Sequence, residues 1–187
     1  MLKVNTCYGK LDSELLTRLS CVKLVAFDVD GTLTDGGIYY DNQNNEIKKF
    51  NVKDGFGVVA LVNEGLECAV ITGRNAPLTE RRMQDLKVQH IIQGERDKGT
   101  ALEKLCEQLK ISPDETVCFG DDINDMPMFR KTGVVVCPHD AHPFVKNHAD
   151  YVTTLNGGCG AMRELCDLIL MAKGIMTPDG GFVDERY

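Results

Sequence analysis

The stretch Leu24-Val25-Ala26-Phe27-Asp28-Val29-Asp30-Gly31-Thr32 decides the fold. A short apolar run ends abruptly in two carboxylates one residue apart, followed by a glycine turn. Such a run reads as a buried strand. If the chain stays extended through Val29, Asp28 and Asp30 project to the same side. Two acids at the carboxyl end of a buried strand are unfavourable unless a cation or a reaction employs them. The plainer alternative is a strand-ending Asp followed by a D-G turn. A calcium loop fails, because its glycine position would be Leu33 and its closing acid Tyr39.

Outward from this strand, β and α patterns alternate. On the amino-terminal side, residues 3–20 read as a polar lead-in with one helix, Ser13 to Leu19. On the other side, Ile38–Tyr40 and Glu46–Phe50 flank Asn42–Asn45 and predict a β-hairpin inserted before the crossover helix. A helix over 56–63 ends at Gly65, and Cys68–Ile71 is a strand. Pro77–Leu86 is a helix with Asn75 as N-cap, and His90–Ile92 is a strand. Lys98–Leu109 carries Leu102, Leu105, Cys106 and Leu109 at helical spacing. The strand Thr116–Phe119, helix Asp125–Arg130, strands Val134–Val136 and Tyr151–Thr153, and helix Ala161–Ala172 complete the alternation. The expectation is an α/β fold, a Rossmann-like parallel sheet with helices on both faces. The predicted organisation is a lead-in (1–20), one domain (21–173, with the hairpin at about 38–50) and a flexible tail (174–187).

Composition narrows the classes. A net charge of −7 over 187 residues leaves no basic face for nucleic acid. No 18-residue apolar run suggests a membrane span, and the N-terminus has no signal-peptide core. The eight cysteines form no C-x-x-C pair, and several lie in apolar runs. Reduced, buried thiols and a cytoplasmic location are therefore expected.

In a doubly wound sheet, ligands bind outside the carboxyl ends of the strands. Those ends carry Asp28/Asp30, Thr72-Gly73-Arg74 and Gly120-Asp121-Asp122, while Lys98 opens a helix that can face the same edge. Converging carboxylates without His or Cys favour Mg2+. With an ammonium, a hydroxyl and backbone amides nearby, the set suits a phosphoryl group. No P-loop lysine motif is present, which leaves a carboxylate nucleophile with a second acid as proton donor and base.

Asp28-Val-Asp-Gly-Thr32, Thr72-Gly73, Lys98 and Gly120-Asp-Asp-Ile-Asn-Asp125 resemble, in order, the four motifs of the haloacid-dehalogenase (HAD) superfamily of phosphatases. The resemblance implies Asp28 as nucleophile, Asp30 as acid and base, Thr72 and Lys98 as phosphate-side residues, and Mg2+ held by Asp28, the Asp30 carbonyl and Asp121. Asp122 and Asp125 would orient that shell. Thr34-Asp-Gly36, Asn51-Val-Lys-Asp-Gly55, Ile71-Thr-Gly-Arg74, Gln93-Gly94, Ala141-His-Pro143 and Gly157-Gly-Cys-Gly-Ala-Met-Arg-Glu164 resemble the 3-deoxy-D-manno-octulosonate 8-phosphate (KDO 8-phosphate) phosphatases over about residues 20–173. That likeness implies a HAD-like fold with the hairpin in place of a cap domain. It also implies a homotetramer whose neighbours complete each site, and a role in lipopolysaccharide precursor synthesis. By the same resemblance Asp30, Asn51, Val52, Lys53, Asp54, Gly55, Gly73, Arg74, Arg82 and Lys98 would contact the sugar acid phosphate. Two positions depart from the pattern: Val59 stands where close relatives often carry Arg, and Thr32 where they often carry Val.

Relatives acting on nonulosonate 9-phosphates tend to carry Glu where Arg74 stands. A non-catalytic tetramerising module of sugar-nucleotide synthesis would have no need of the five motif residues, and no fused catalytic domain is expected. His139 and His142 lack a third soft ligand for a metal. Gly157–Gly160 reads either as an anion cradle at a helix N-terminus or as a flexible link. In the resembled family, tails fold over a neighbour's site, which would involve Phe182 and Tyr187.

Overall fold

Residues 2–184 are described by a computed structural model. A hairpin of β1 (Lys3–Thr6) and β2 (Gly9–Asp12) leads into α1 (Ser13–Ser20), and the apolar run forms β3 (Leu24–Phe27). A second hairpin, β4 (Tyr39–Tyr40) and β5 (Glu46–Ile47), precedes α2 (Val52–Asn63). There follow β6 (Glu67–Thr72), α3 (Pro77–Asp85), β7 (His90–Gln93), α4 (Lys98–Leu109) and β8 (Thr116–Phe119). The chain closes with α5 (Met126–Phe129), β9 (Val134–Cys137), α6 (Pro143–Lys146), β10 (Tyr151–Val152) and α7 (Ala161–Ala172).

The central sheet has the order β10-β9-β8-β3-β6-β7, with every neighbouring pair parallel. From β3 the chain builds outward to β7, then returns to β8 on the opposite side. The switch therefore falls between β3 and β8, where doubly wound sheets open a crevice. Phe27 sits in register with Phe119 of β8 and Val70 of β6. Asp28 and Gly120-Asp121 thus leave the sheet side by side.

Both faces of the sheet are covered, which is why its strands read as unbroken apolar runs rather than alternations. Val25, Phe27, Val70, Val117 and Phe119 meet Leu15, Leu19, Val58, Leu61, Leu165 and Ile169 of α1, α2 and α7. On the other face, Leu24, Ala26, Ala69, Ile71 and Cys118 meet Leu102, Leu105 and Met128 of α4 and α5.

Several local expectations need correction. α2 begins at Val52 rather than 56, because Asn51 caps it by accepting from the Lys53 amide at 2.8 Å. Gly55 and Gly57 sit inside this helix because it packs too closely for side chains. A Cβ on Gly55 would lie 2.3 Å from Arg82 Nη2, and one on Gly57 would lie 2.9 Å from Cys166 Cβ. Ala76, not Asn75, caps α3, and its amide is held by Gln93 Oε1 at 2.9 Å. The segment expected as a helix over 125–130 divides into a 3-10 turn, Ile123–Asp125, and the short α5.

The first twenty residues carry the β1–β2 hairpin as well as a helix, and they join the main core through Leu11, Leu15 and Leu19. Tyr8 donates to Asp167 Oδ2 at 2.6 Å, tying this hairpin to α7. The tail, expected to be loose, folds back on its own chain as far as it is described. Met176 pairs with Phe182, the Val183 amide donates to the Ile175 carbonyl at 3.0 Å, and Phe182 meets Phe56 edge-on. Tyr187 lies outside the described residues.

Gly57→Ala tests the α2–α7 contact. Alanine is the better helix former by roughly 0.8–1.0 kcal/mol, yet overpacking against Cys166 should outweigh that. The variant should lose about 1–2 kcal/mol of unfolding free energy in urea titration; an equal or higher midpoint would show that the helices separate without strain.

Candidate active site

Four loops converge at the switch point. β3 ends in Asp28, which is buried, and the chain turns at Gly31 with a positive φ of 85°. A Cβ on Gly31 would lie 2.1 Å from Asp121 Oδ2, so this turn admits only glycine beside that carboxylate. Thr32 donates to Asp121 Oδ1 at 3.1 Å. β6 ends in Thr72, also buried, and α4 begins with Lys98. Asp28, Asp30, Thr72, Gly73, Arg74 and Asp121 line a cavity of about 140 Å³, together with Asp122 and Asn124. A larger groove of about 380 Å³ beside Glu103, Cys106 and Lys110 brings together no comparable set of groups.

Lys98 is the pivot of the buried charges. Its ammonium lies 2.7 Å from Asp28 Oδ1 and 2.6 Å from Asp125 Oδ1, with only 1% of the residue exposed. Asp125 Oδ2 accepts from the Asp121 and Asp122 amides at 2.9 and 3.2 Å. Both oxygens of Asp125 are therefore engaged by the protein. One carboxylate oxygen from each of Asp28, Asp121 and Asp125 lies within 4.8 Å of the other two.

Electrostatics follow from this crowding. Burial pushes Asp28 up to about 6, with Asp125 adding to the shift and Lys98 opposing it. Burial, then Asp125 and Asp28, raise Asp121 to about 7. Burial pulls Lys98 down, but Asp28 and Asp125 outweigh it and leave the ammonium above its ordinary value. Opposite charge is thus supplied to Asp28 and Asp125, while Asp121 lies against its neighbours' negative charge.

Asp30 faces a different set. Its Oδ1 is held by Lys48, and its Oδ2 lies 3.7 Å from Arg74 Nε. Arg74 also pairs with Glu46. Sequence reasoning missed Lys48 and Glu46. The signal was available in period-2 spacing, because residues 46 and 48 of the expected extended run 46–50 fall on one side, although the strand itself ends at Ile47.

The structure gathers Asp28, Asp30, Thr72, Gly73, Arg74, Lys98 and Asp121 at one rim and puts the other expected contacts elsewhere. Asn51 donates to the Gly158 carbonyl at 3.2 Å, and Asp54 is buried. The Asp54 carboxylate accepts from the Gly160 and Arg163 amides at 3.2 and 2.8 Å, so it caps α7. Val52 and Lys53 are exposed, and Arg82 packs over Gly55 with its guanidinium 5.9 Å from the Phe50 ring centroid. Within one chain none of these lines the cavity.

The glycine loop 157–160 serves as neither anion cradle nor loose link. A Cβ on Gly157 would sit 1.8 Å from the Gly31 carbonyl oxygen, and the Gly158 amide donates to the Thr32 carbonyl at 3.0 Å. Gly157 and the Gly158 amide thus buttress the turn that follows Asp28, while the Gly157 and Gly160 amides donate to the Asp140 and Asp54 carboxylates at 2.9 and 3.2 Å. His142 caps α6 through Nδ1, which accepts from the Phe144 amide at 3.1 Å.

Comparison with known proteins gives this site a context. Residues 88–165 match the haloacid dehalogenase-like hydrolases. A 3-deoxy-D-manno-octulosonate 8-phosphate phosphatase of Salmonella typhi is 44% identical over 169 residues, 90% of each chain. The chain belongs to the KDO 8-phosphate phosphatase family. Like its relatives, it is a phosphoric monoester hydrolase. The crystal structure of the Yersinia pestis phosphatase superposes with a TM-score of 0.91 at 41% identity, covering 92% of this chain and 94% of that one. A Moraxella catarrhalis member, crystallised with magnesium, phosphate and KDO, gives 0.85 at 40% identity, covering 88% and 94%. The family shares the HAD-like α/β fold seen here. Among the described residues, no helix is long and apolar enough to cross a membrane.

The raised carboxyls give a signed pH dependence. A carboxyl whose folded pKa exceeds its unfolded value favours the fold at low pH, and that contribution is lost as pH rises through the folded pKa. For Asp28 and Asp121 this loss spans values up to about 6 and about 7. In chelator, Tm should fall between about pH 4 and about pH 7, and Asp121→Asn should flatten the fall. Identical slopes in parent and variant would remove Asp121 as a source.

Proposed function

We propose that this chain hydrolyses KDO 8-phosphate to KDO and phosphate through an aspartyl-phosphate on Asp28. The observation that carries the reading is the meeting of Asp28, Asp30, Thr72 and Asp121 in one crevice, with Lys98 paired to Asp28 behind them, in a chain so similar to phosphatases of that name. Asp28 attacks phosphorus in line and the ester oxygen leaves. Asp30 donates a proton to that oxygen, then takes one from the water that cleaves the acyl phosphate. Thr72 donates to a phosphoryl oxygen, and Lys98 holds the Asp28 carboxylate and offsets the negative charge arriving beside it.

The donor set fits Mg2+. Its acids are hard oxygen ligands, and burial together with the charges of Asp125 and Asp28 raises Asp121, a crowding that a cation would relieve. Asp28, Asp121 and the Asp30 carbonyl would hold the ion. Asp125, with both oxygens engaged, would hold the loop instead. When bound, Mg2+ offsets charge on the phosphoryl oxygens and the nucleophile.

A homotetramer accompanies this reading. The cavity of one chain, about 140 Å³, falls short of the roughly 300–1,000 Å³ of ordinary small-molecule sites. It suits the phosphoryl end, leaving the sugar to be walled by a neighbour. Beside it, Ile38, Tyr39, Tyr40 and Ile47 of the hairpin and Val52 of α2 are exposed, with Val52 at 82%. An apolar patch on an isolated hairpin calls for a partner. Residues 51–55 and Arg82 would then serve an adjacent copy. The setting is cytoplasmic, in lipopolysaccharide precursor synthesis, with no nucleic-acid or membrane partner.

Two experiments bear on this. Phosphate release from KDO 8-phosphate with Mg2+ should drop by roughly 10³-fold or more in Asp28→Asn. Release from other sugar phosphates alone would keep the chemistry and replace the substrate, with a nonulosonate 9-phosphate next in line. For the assembly, Tyr40→Asp combined with Ile47→Asp should yield smaller species in light scattering and a lower kcat/KM. An intact tetramer, or full activity in the smaller species, would refute the shared site.

A further inference from the structure

Around Asp30 four side chains form a closed ring of alternating charge. Lys48 holds Asp30 Oδ1 and lies 3.7 Å from Glu46 Oε1. The same Glu46 oxygen pairs with Arg74 Nη2, and Arg74 Nε stands 3.7 Å from Asp30 Oδ2. Acidic and basic side chains therefore alternate around it, each beside two of the opposite kind. Although Arg74 lines the cavity, its charge is already taken.

The two cations of the ring are not equivalent. The Lys48 side chain is 3% exposed, locked between the hairpin and Asp30. The Arg74 and Glu46 side chains are 42% and 23% exposed. Ion pairs that reach water are weak and exchange readily, so the Arg74–Glu46 link is the one that opens. A guanidinium fork freed in this way matches a carboxylate bidentately. The Arg74 backbone stays in place, because its carbonyl accepts from the Gly94 amide at 3.2 Å.

We propose that Glu46 is a specificity-determining residue: a built-in carboxylate that occupies Arg74 until the carboxylate of a sugar acid phosphate displaces it. This rests on the proposed function, with Arg74, one of the residues that the family resemblance sets against the sugar acid phosphate, taking its carboxylate. Lys48 keeps the hairpin docked on Asp30 while the exchange takes place. A phosphate ester with no second anion leaves Glu46 where it is, so the ring favours esters that carry their own carboxylate. Selectivity here comes from an internal competitor as well as from a contact.

Glu46→Gln keeps the side chain's shape and removes its charge. Steady-state kinetics on KDO 8-phosphate and on p-nitrophenyl phosphate should show KM for the sugar acid phosphate falling about three- to fivefold. The ratio of kcat/KM between the two esters should rise by a similar factor. The inhibition constant of free KDO against p-nitrophenyl phosphate hydrolysis should fall in parallel, which reads binding without turnover of the sugar. In an Arg74→Gln background, Glu46→Gln should leave the ratio where Arg74→Gln alone puts it. An unchanged or higher KM for KDO 8-phosphate, an equal shift for both esters, or the same effect without Arg74 would overturn the proposal. Loss of Asp28-dependent hydrolysis of both esters in the parent would instead overturn the function on which it rests.

Discussion

A buried ammonium between two carboxylates organises this molecule. Lys98 reaches from the start of α4 beneath the ends of β3 and β8 and pairs with Asp28 and Asp125. Neither acid has an alternative, since breaking a buried pair leaves an uncompensated charge. Asp125 passes the constraint on, because its other oxygen fixes the amides of Asp121 and Asp122. The charge of Asp28, the start of a helix and the shape of the acidic loop are thus tied to a single side chain. Burying this much charge is unfavourable for folding, and the raised values of Asp28 and Asp121 show where the strain sits.

The turn after Asp28 is shaped by close approach rather than by side chains. Gly31 lets Asp121 come against the backbone, and Gly157 lets the loop before α7 pack on the Gly31 carbonyl. Asp54 completes the arrangement by capping α7, so α2, α7 and the β3 turn are joined through hydrogen bonds. A site on the rim of a rigid sheet, supported by such contacts, holds its groups to the tolerance that in-line chemistry needs.

Two sets of groups consequently divide the work. The sheet edge carries the clustered acids, the Thr72 hydroxyl and the buried Lys98. The hairpin carries groups of another character: the exposed Ile38, Tyr39, Tyr40 and Ile47, and Glu46 and Lys48, whose charged ends reach Arg74 and Asp30. Tyr40 stands opposite Glu46 in register, so apolar and charged groups share one face of the hairpin.

Much of this was legible in the residues. Apolar runs ending in Asp28-Val-Asp30, Thr72-Gly73 and Gly120-Asp121 specified a parallel sheet with its chemistry at one edge, because period and turn residues are local properties. Other features were not local. The start of α2 was hidden, since the segment through Gly55 read as a lead-in to a helix at 56 until the Asn51 cap and the close approach of Arg82 and Cys166 to Gly55 and Gly57 showed it to be helical from Val52. Asp54 carries a second task that spacing does not show: its carboxylate caps α7, more than a hundred residues along the chain. The ring through Glu46, Lys48, Arg74 and Asp30 joins three separate loops, and strand spacing alone could say only that residues 46 and 48 share a side. By itself the sequence determined the sheet, its order of motifs and the acids at its rim. Only the tertiary structure decided which charge meets which, because ion pairing depends on distances between segments that no local pattern encodes.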